Sequence, residues 1–416
     1  MSRTGLSGTA DVLVIGAGAA GLAAADALER AGRSVLVLEA RSRVGGRCLT
    51  LSHPCLDAPI ELGAEFIHGR PKATLSLLRR TRTPAMESTR TQRMLWNGRL
   101  VAVDAFAAAR KAVEKFSGEA DMSFRAFLDS QALPPRTRTL ATMMVQGFDA
   151  ADPAKVSARD IAQEWGAEAI GASQARPRGG YGLLLEKLAR RTRLQLQTAV
   201  HEVRWRRGSV EARGEFLGQP FRASAKRAII TLPLGVLQSG AVRFFPGLHE
   251  KEFAFTKLAS GPVIRVALVF GSRFWEKRFP EVAFFHAPQA PFPTFWTPLP
   301  MRAPLLTAWA GGPKAARLAG RSPQALVDLA RRTVEGVLRQ KAELAAAHVQ
   351  DWRADAYARG GYSYVKVNGA GARKLLAAPL RQTLFFAGEA TNTQGESGTV
   401  GGALQSGIRA AHEVLG

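Results

Sequence analysis

An α/β fold with more than one domain is what this sequence of 416 residues predicts, and three observations predict it. The length exceeds what one hydrophobic core usually serves, so two domains are expected, possibly interleaved in sequence. Residues 10–40, ADVLVIGAGAAGLAAADALERAGRSVLVLEA, read as strand, glycine turn, helix and strand. Far along the chain, residues 384–411, LFFAGEATNTQGESGTVGGALQSGIRAA, repeat the order of strand, glycine-rich turn and helix.

The first segment carries its own chemistry. Residues 11–15 are a short β-rich apolar run, Gly16, Gly18 and Gly21 form G-x-G-x-x-G, residues 22–30 have helical spacing, and residues 34–38 make a second strand. In such a βαβ unit Gly16 permits the tight turn, Gly18 lets backbone approach a pyrophosphate, and Gly21 lets helix and strand pack closely. Glu39, at the end of the second strand, stands where a carboxylate accepts hydrogen bonds from ribose hydroxyls. In ARSRVGGR, residues 40–47, Arg41 and Arg47 bracket Gly45-Gly46, as a long dinucleotide buried end to end would require. A second helix N-terminus after residues 398–402 faces another part of the same ligand. Two helix N-termini for one ligand point to FAD.

Composition limits the other possibilities. With 46% hydrophobic and 22% charged residues, the chain has an ordinary globular composition. The formal charge of +23 raises a nucleic-acid or other polyanionic partner. Its arginines, however, are scattered in pairs such as Arg79-Arg80, Arg190-Arg191, Arg206-Arg207 and Arg331-Arg332, which favours a generally basic surface over a nucleic-acid site. Cys48 and Cys55 are too few for a disulfide framework and lack the company that zinc needs, so no metal is expected. No apolar run is long enough to span a bilayer, and a cytoplasmic location is the expectation.

The chain resembles the flavin-containing amine oxidase family, which includes monoamine oxidases, polyamine oxidases and flavin-type histone lysine demethylases. The likeness is carried by VLVIGAGAAGL, EARSRVGGR, ELGAEFIHG, AIITLPLGVL, GGYSYV and FAGEATN with SGTVGGAL, in family order along nearly the whole chain. It implies a GR2-type, Rossmann-like FAD-binding domain built from residues 1–75, 178–240 and 345–416. Interleaved with it would be a mixed α+β substrate-binding domain, helix-rich residues 76–177 with the mixed segment 241–344. Within the first domain, residues 194–205 alternate as a strand and residues 227–237 read as a buried strand ending in a turn.

The resemblance also implies site residues. Gly16, Gly18, Ala20 and Gly21 would form the dinucleotide turn. Glu39, Arg41, Gly46 and Arg47 would hold the adenosine ribose and pyrophosphate, and Val200 the adenine. Gly63, Ala64, Glu65 and Phe66 would pass along the flavin, Gly388 and Glu389 would meet the ribityl chain, and Thr399 with Val400 the ring. FAD is expected to be non-covalent, because Gly361 stands where monoamine oxidases carry the cysteine that bonds it. Glu61 is expected to be a structural hydrogen-bonding group, and Glu65 to neutralise an arginine near the pyrophosphate.

By the same likeness the chemistry is loss of hydride equivalents from the carbon next to a neutral amine, with dioxygen reoxidising the flavin. Tyr362 would be one wall of an aromatic box, Tyr364 points the same way, and Thr399 occupies the place of the second wall. Arg265 stands where the family usually has a lysine that aids oxygen activation; the alternative is an arginine that simply pairs with a nearby carboxylate. His68 is either an active-site group near the substrate amine or a satisfied core histidine. Trp296, Trp309 and Phe295 could line an aromatic pocket or be plain core. The arginine excess argues against a polycation at the mouth and toward a monoamine, or toward an L-amino acid clamped by an arginine. A nicotinamide-linked dehydrogenase and a basic flavoprotein that mainly binds a polyanion are the alternatives. Oligomeric state is not legible in the sequence.

Overall fold

In the computed structural model, which describes residues 6–114, 116, 120–166 and 173–416, the two apolar runs of the βαβ unit lie at the centre of a parallel sheet. Its strand order is Leu194–Gln195, Val35–Leu38, Val12–Ile15, Arg227–Ile230 and Leu384–Phe386, every pair parallel. Runs such as VLVI and VLVL are continuous rather than alternating because both faces of the sheet are covered. Val12, Val14, Val35, Val37, Ile229 and Phe385 face the helices Ala19–Arg30, Gly180–Ala189 and Val400–Leu415. Leu13, Ile15, Leu36, Leu38, Ala228 and Phe386 face a second sheet through Val203, Trp205, Ala212 and Phe221. That sheet runs Leu6–Thr9, Gln219–Ala225, Ser209–Phe216, Thr198–Arg206, Arg243–Phe245.

The remaining large sheet has seven strands, in the order Leu344–Asp351, Val263–Phe270, Leu305–Gly311, Thr294–Trp296, Phe284–His286, Gln92–Trp96, Arg99–Val103. The helix Pro323–Leu338 packs Leu326, Ala330, Val334 and Leu338 onto it. The helices Ala105–Val113, Phe124–Ser130, Pro135–Gly147 and Ala158–Gly166 form a separate apolar cluster that includes Met94 and Tyr364.

Four details differ from the sequence reading. Residues 92–103, inside the helix-rich segment, form a hairpin whose turn residues Asn97 and Gly98 have φ of 48° and 76°, the left-handed geometry of a two-residue hairpin loop. The strand Leu344–Asp351, expected with the nucleotide segment, pairs with Val263–Phe270. The single strand expected over residues 194–205 is broken at Gln197, with φ of 52°, and its two pieces enter different sheets. The strand expected over residues 227–237 ends at Ile230; Pro233 then starts a short helix, Leu234–Gln238.

The first and last helices cross with almost no side chain between them. A Cβ at Gly407, midway along the last helix, would overlap the Ala20 carbonyl oxygen, so the glycine sets how closely that helix approaches the first turn of the other. Gly407→Ala is expected to push the helices apart and destabilise the protein by roughly 1–3 kcal/mol, the usual cost of overpacking. The check is a lower denaturation midpoint at an unchanged slope.

Candidate active site

Where strand Val12–Ile15 ends, Gly16 turns the chain with φ of 110°, and Gly45-Gly46 packs over that turn. The Gly45 N–H donates to the Ala17 carbonyl at 2.9 Å, and Gly18 and Gly45 form a parallel bridge. A Cβ added at Gly18 meets no atom within 4 Å and would project into open space, so the loop is a bare backbone cradle. Gly21 has the other role: its missing Cβ lets the helix sit against the Gly16 carbonyl.

Carboxylates fix the polar groups around this cradle. Glu39 accepts from the Ala17 N–H at 2.8 Å and the Arg41 N–H at 2.9 Å, and each oxygen keeps a second acceptor position. Arg41 forks onto Asp355 at 3.0 and 2.6 Å. Arg47 donates to the Gly361 carbonyl at 2.5 Å and to Glu389 at 3.0 Å, while Ser363 donates to the other Glu389 oxygen at 2.7 Å. Burial pushes the Glu389 carboxyl upward, but Arg47 and Arg373 outweigh it and hold it below its ordinary value. Thr399 caps the C-terminal helix, accepting from the Gly402 N–H at 2.9 Å.

The cradle opens into a cavity of about 1050 Å³ that extends to Phe106, Met144, Ile161 and Trp309. The usual small-molecule site holds roughly 300–1,000 Å³, so this one has room for a long ligand with a second molecule beside it. Every residue named from the sequence as cofactor-binding or catalytic lines it, apart from Gly21.

At the far end, Trp309 and Tyr362 stack at 6.5 Å with 16° between ring planes. Both are tied to one backbone segment, Trp309 Nε1 donating to Gly147 O at 2.9 Å and the Tyr362 hydroxyl to Phe148 O at 2.6 Å. Trp309 therefore belongs to the aromatic wall, as does Trp296, which donates to Glu65 at 3.0 Å. Phe295 is core, stacked on Phe285.

Glu65 meets neither Arg41 nor Arg47, contrary to the expectation of a pyrophosphate arginine, because each of those has its own carboxylate. It joins Arg176 at 2.8 Å and Arg265, whose other amino group donates to Gly63 O at 2.5 Å. Burial raises the Glu65 carboxyl, and the two guanidinium groups reverse that and bring it below the ordinary value. Glu61 does have the expected bonding role, accepting from Thr50 Oγ1 and the Tyr181 N–H, both at 2.7 Å, and burial pushes it up to about 7.

A family model for flavin-containing amine oxidoreductases matches residues 19–415. The chain belongs to that family. Among its relatives, a lysine-specific histone demethylase 1 homolog 2 of Arabidopsis thaliana is 29% identical, covering 97% of this chain and 58% of its own length. Polyamine oxidase 4 of Oryza sativa subsp. japonica is 28% identical, covering 97% of this chain and 88% of its own length. The chain thus spans little more than half of that demethylase homolog's length. In fold it is similar to a redesigned putrescine oxidase variant, TM-score 0.84 at 21% identity over 98% of this chain and 99% of the other. Cyclohexylamine oxidase from Brevibacterium oxydans IH-35A gives 0.81 at 22% over 97% and 98%.

The residues present fit a flavin dinucleotide. The bare cradle at Gly18, two convergent helix N-termini and the cavity length all suit it, and the family carries one. Sequence reading missed Asp355, whose partner Arg41 is 314 positions away, Arg176, whose partner Glu65 is 111 positions away, and Arg373, which bonds to Ser363 and Ala390 O; none belongs to a motif that marks its role. Asp149, Asp160 and Glu164, which also line the cavity, were missed as well.

His68 sits between Phe66 and Phe148, at 5.8 and 5.2 Å. Burial, with Arg90 nearby, lowers its pKa to about 4. A base whose pKa falls from about 6.5 to that value is neutral throughout the range of about pH 5–8, where histidine usually titrates. His68→Gln is therefore expected to leave the kinetic pH profile unmoved in that range while raising the amine KM about tenfold, ~1.4 kcal/mol of binding. Steady-state kinetics against pH check both.

Proposed function

We propose that this chain is an FAD-dependent amine oxidase that oxidises a C–N bond of a primary or secondary amine to an imine, with dioxygen as acceptor. Peroxide is the second product, and hydrolysis of the imine gives an aldehyde plus ammonia or a smaller amine. The observation that carries this reading is the single cavity joining a dinucleotide cradle to an aromatic chamber. The polyamine oxidase and histone demethylase relatives support amine chemistry, and the fold neighbours named for putrescine and cyclohexylamine oxidation agree with it.

Bound FAD would supply the hydride-accepting centre. The chain's residues would hold and shield it. Glu39, Arg41 and Arg47 would secure ribose and pyrophosphate, Val200 the adenine, Gly388 and Glu389 the ribityl chain, and Thr399 with Val400 the ring edge. Segments 1–75, 178–240 and 345–416 would supply these groups, without the strand Leu344–Asp351. Tyr362 and Trp309 exclude water and orient the amine, and a desolvated ammonium gives up its proton more readily. Arg265 adds positive charge to the wall, although Glu65 neutralises part of it. With Arg176 and Arg265 both committed to Glu65, neither is a free clamp for an amino-acid carboxylate.

No described helix is long and apolar enough to cross a membrane. Cofactor attachment would be dissociable. Gly361 offers no nucleophile, and the Cys48 thiol, which lines the cavity, is pushed by burial up to about 12 and stays protonated.

A peroxide-coupled screen of amines and amino acids on the yellow protein tests the reaction, and acid precipitation should leave all flavin in the supernatant. A colourless protein, or one reduced by no amine, overturns the reading. Arg265→Met should slow reoxidation by dioxygen at least about tenfold, ~1.4 kcal/mol of barrier, with Arg265→Lys restoring much of it. Stopped-flow reoxidation of photoreduced enzyme measures this, and an unchanged rate removes Arg265 from oxygen chemistry.

A further inference from the structure

Three helices, Ala19–Arg30, Lys72–Arg80 and Gly180–Ala189, end together on one face of the molecule. Side chains near their C-termini tie each end to the other two. Arg80 donates to Asp26 at 2.8 Å, Thr192 to Glu29 at 3.2 Å and Lys187 to Thr83 Oγ1 at 2.9 Å. Two of the arginine pairs that look scattered in the sequence, Arg79-Arg80 and Arg190-Arg191, therefore stand on the same face, beside Arg33, Arg82 and Arg193, and all of these side chains are exposed.

The acids within this group are already engaged. Asp26 is shared by Arg30 at 3.3 Å and Arg80, Glu29 accepts from Thr192, and Asp11, near Arg33, is bonded to Ser34. Arg33, Arg79, Arg82, Arg190 and Arg191 form no ion pair among the described residues. A cation at a helix C-terminus is favoured by the helix dipole by roughly 0.3–1 kcal/mol, within the last turn only, so one at each end would serve that purpose. Here each end carries at least two, and some lie beyond the last turn, where the dipole no longer rewards them. Like charges gathered in this way oppose the compact state, and the fold gives no return for the excess.

We propose that this face is a docking surface for a nucleic-acid duplex, whose phosphates it would hold without regard to sequence. The proposal is independent of the oxidase reading. None of the arginines on the face lines the cavity, whereas Ala19, Pro71 and Tyr181, where the same three helices begin, do. The surface therefore lies about one helix length from the cradle, about 18 Å along the 12 residues of Ala19–Arg30.

The chemistry of the face favours phosphate over other anions. Guanidinium forks match phosphate oxygens, and a row of phosphates needs only fixed positive charge presented to solvent. An acidic protein would be anchored by aromatic or aliphatic side chains at the centre of the contact, and a membrane by an apolar anchor beside the basic residues. The exposed large apolar side chains among the described residues include none at these helix ends; Leu183 lies in the first turn of its helix, away from Arg190.

The test is fluorescence anisotropy of a short labelled DNA duplex of mixed sequence, titrated with holoenzyme at increasing salt. Contact with about four phosphates predicts a slope of about −3.6 in log K against log salt, so binding weakens roughly a hundredfold between about 50 and 200 mM. Arg190→Gln with Arg191→Gln is expected to weaken binding at least about tenfold at low salt and to make the slope shallower by about 1.8. Arg331→Gln with Arg332→Gln removes the same formal charge from the helix Pro323–Leu338, on the other large sheet, and is expected to leave both quantities unchanged. Flavin absorption and the denaturation midpoint report whether each variant is folded; should the first pair fail that check, Arg79→Gln with Arg82→Gln repeats the comparison from another helix end. Equal loss from both faces would mean that the total charge acts without a site, and overturns the inference, as does a wild type that does not bind the duplex. Binding of polyglutamate or of phosphatidylserine vesicles through Arg190 and Arg191, without binding of the duplex, overturns it too and assigns the face to a protein or a membrane.

Discussion

The architecture of the cavity depends on one buried carboxylate shared by two guanidinium groups. Glu65 holds Arg176 and Arg265, and through them the segment 60–68, the strand Gln174–Pro177 and the strand Val263–Phe270. Arg176 also donates to the Leu299 and Thr297 carbonyls and lies over the Phe66 ring at 4.4 Å. Arg265 lies over Trp296 at 5.0 Å. Removing one member of such a group would strand a charge in low dielectric, at a cost of about 3–5 kcal/mol. The irregular stretch 62–66 therefore has a defined path along the cavity, although it has almost no regular backbone pairing of its own.

A second buried group does the same for the dinucleotide end. Arg47, Glu389, Ser363 and Arg373 link the glycine turn, the strand Tyr362–Val365 and the turn before the last helix. Arg41 with Asp355 closes the cradle from the other side. Both networks join residues over 300 positions apart, so the cradle exists only when the separated segments have assembled. Positive charge here is local and paired, Arg41 with Asp355 and Arg47 with Glu389.

What was legible in the sequence was whatever rests on backbone geometry. Gly16, Gly18 and Gly21 announce their roles because only glycine tolerates a positive φ, a bare cradle and close helix packing at that spacing. Asn97-Gly98 was equally legible as a hairpin turn, yet the helical segments on its C-terminal side obscured it. The Arg265 question could be posed from the sequence but not decided, because its partner Glu65 is 200 residues away. Asp149 gave no signal, since nothing in GFDAADP says that its side chain turns inward and finds no donor.

Charge counted over a whole chain and charge inside a cavity are different quantities. The arginine excess argued against a dication because it was averaged over the surface, where water and salt weaken each charge. Inside, Glu65 offsets one of the two charges of Arg265 and Arg176, and the buried Asp149 carboxyl has no hydrogen-bond partner. A ligand crossing the mouth leaves a screened positive field within a short distance, then meets a buried carboxyl whose proton affinity burial has raised. The interior term outweighs the exterior one because an interaction of fixed separation grows as the effective dielectric falls from that of water toward about 20 or lower. Selectivity in such a cavity is set by the few charges that folding leaves unpaired.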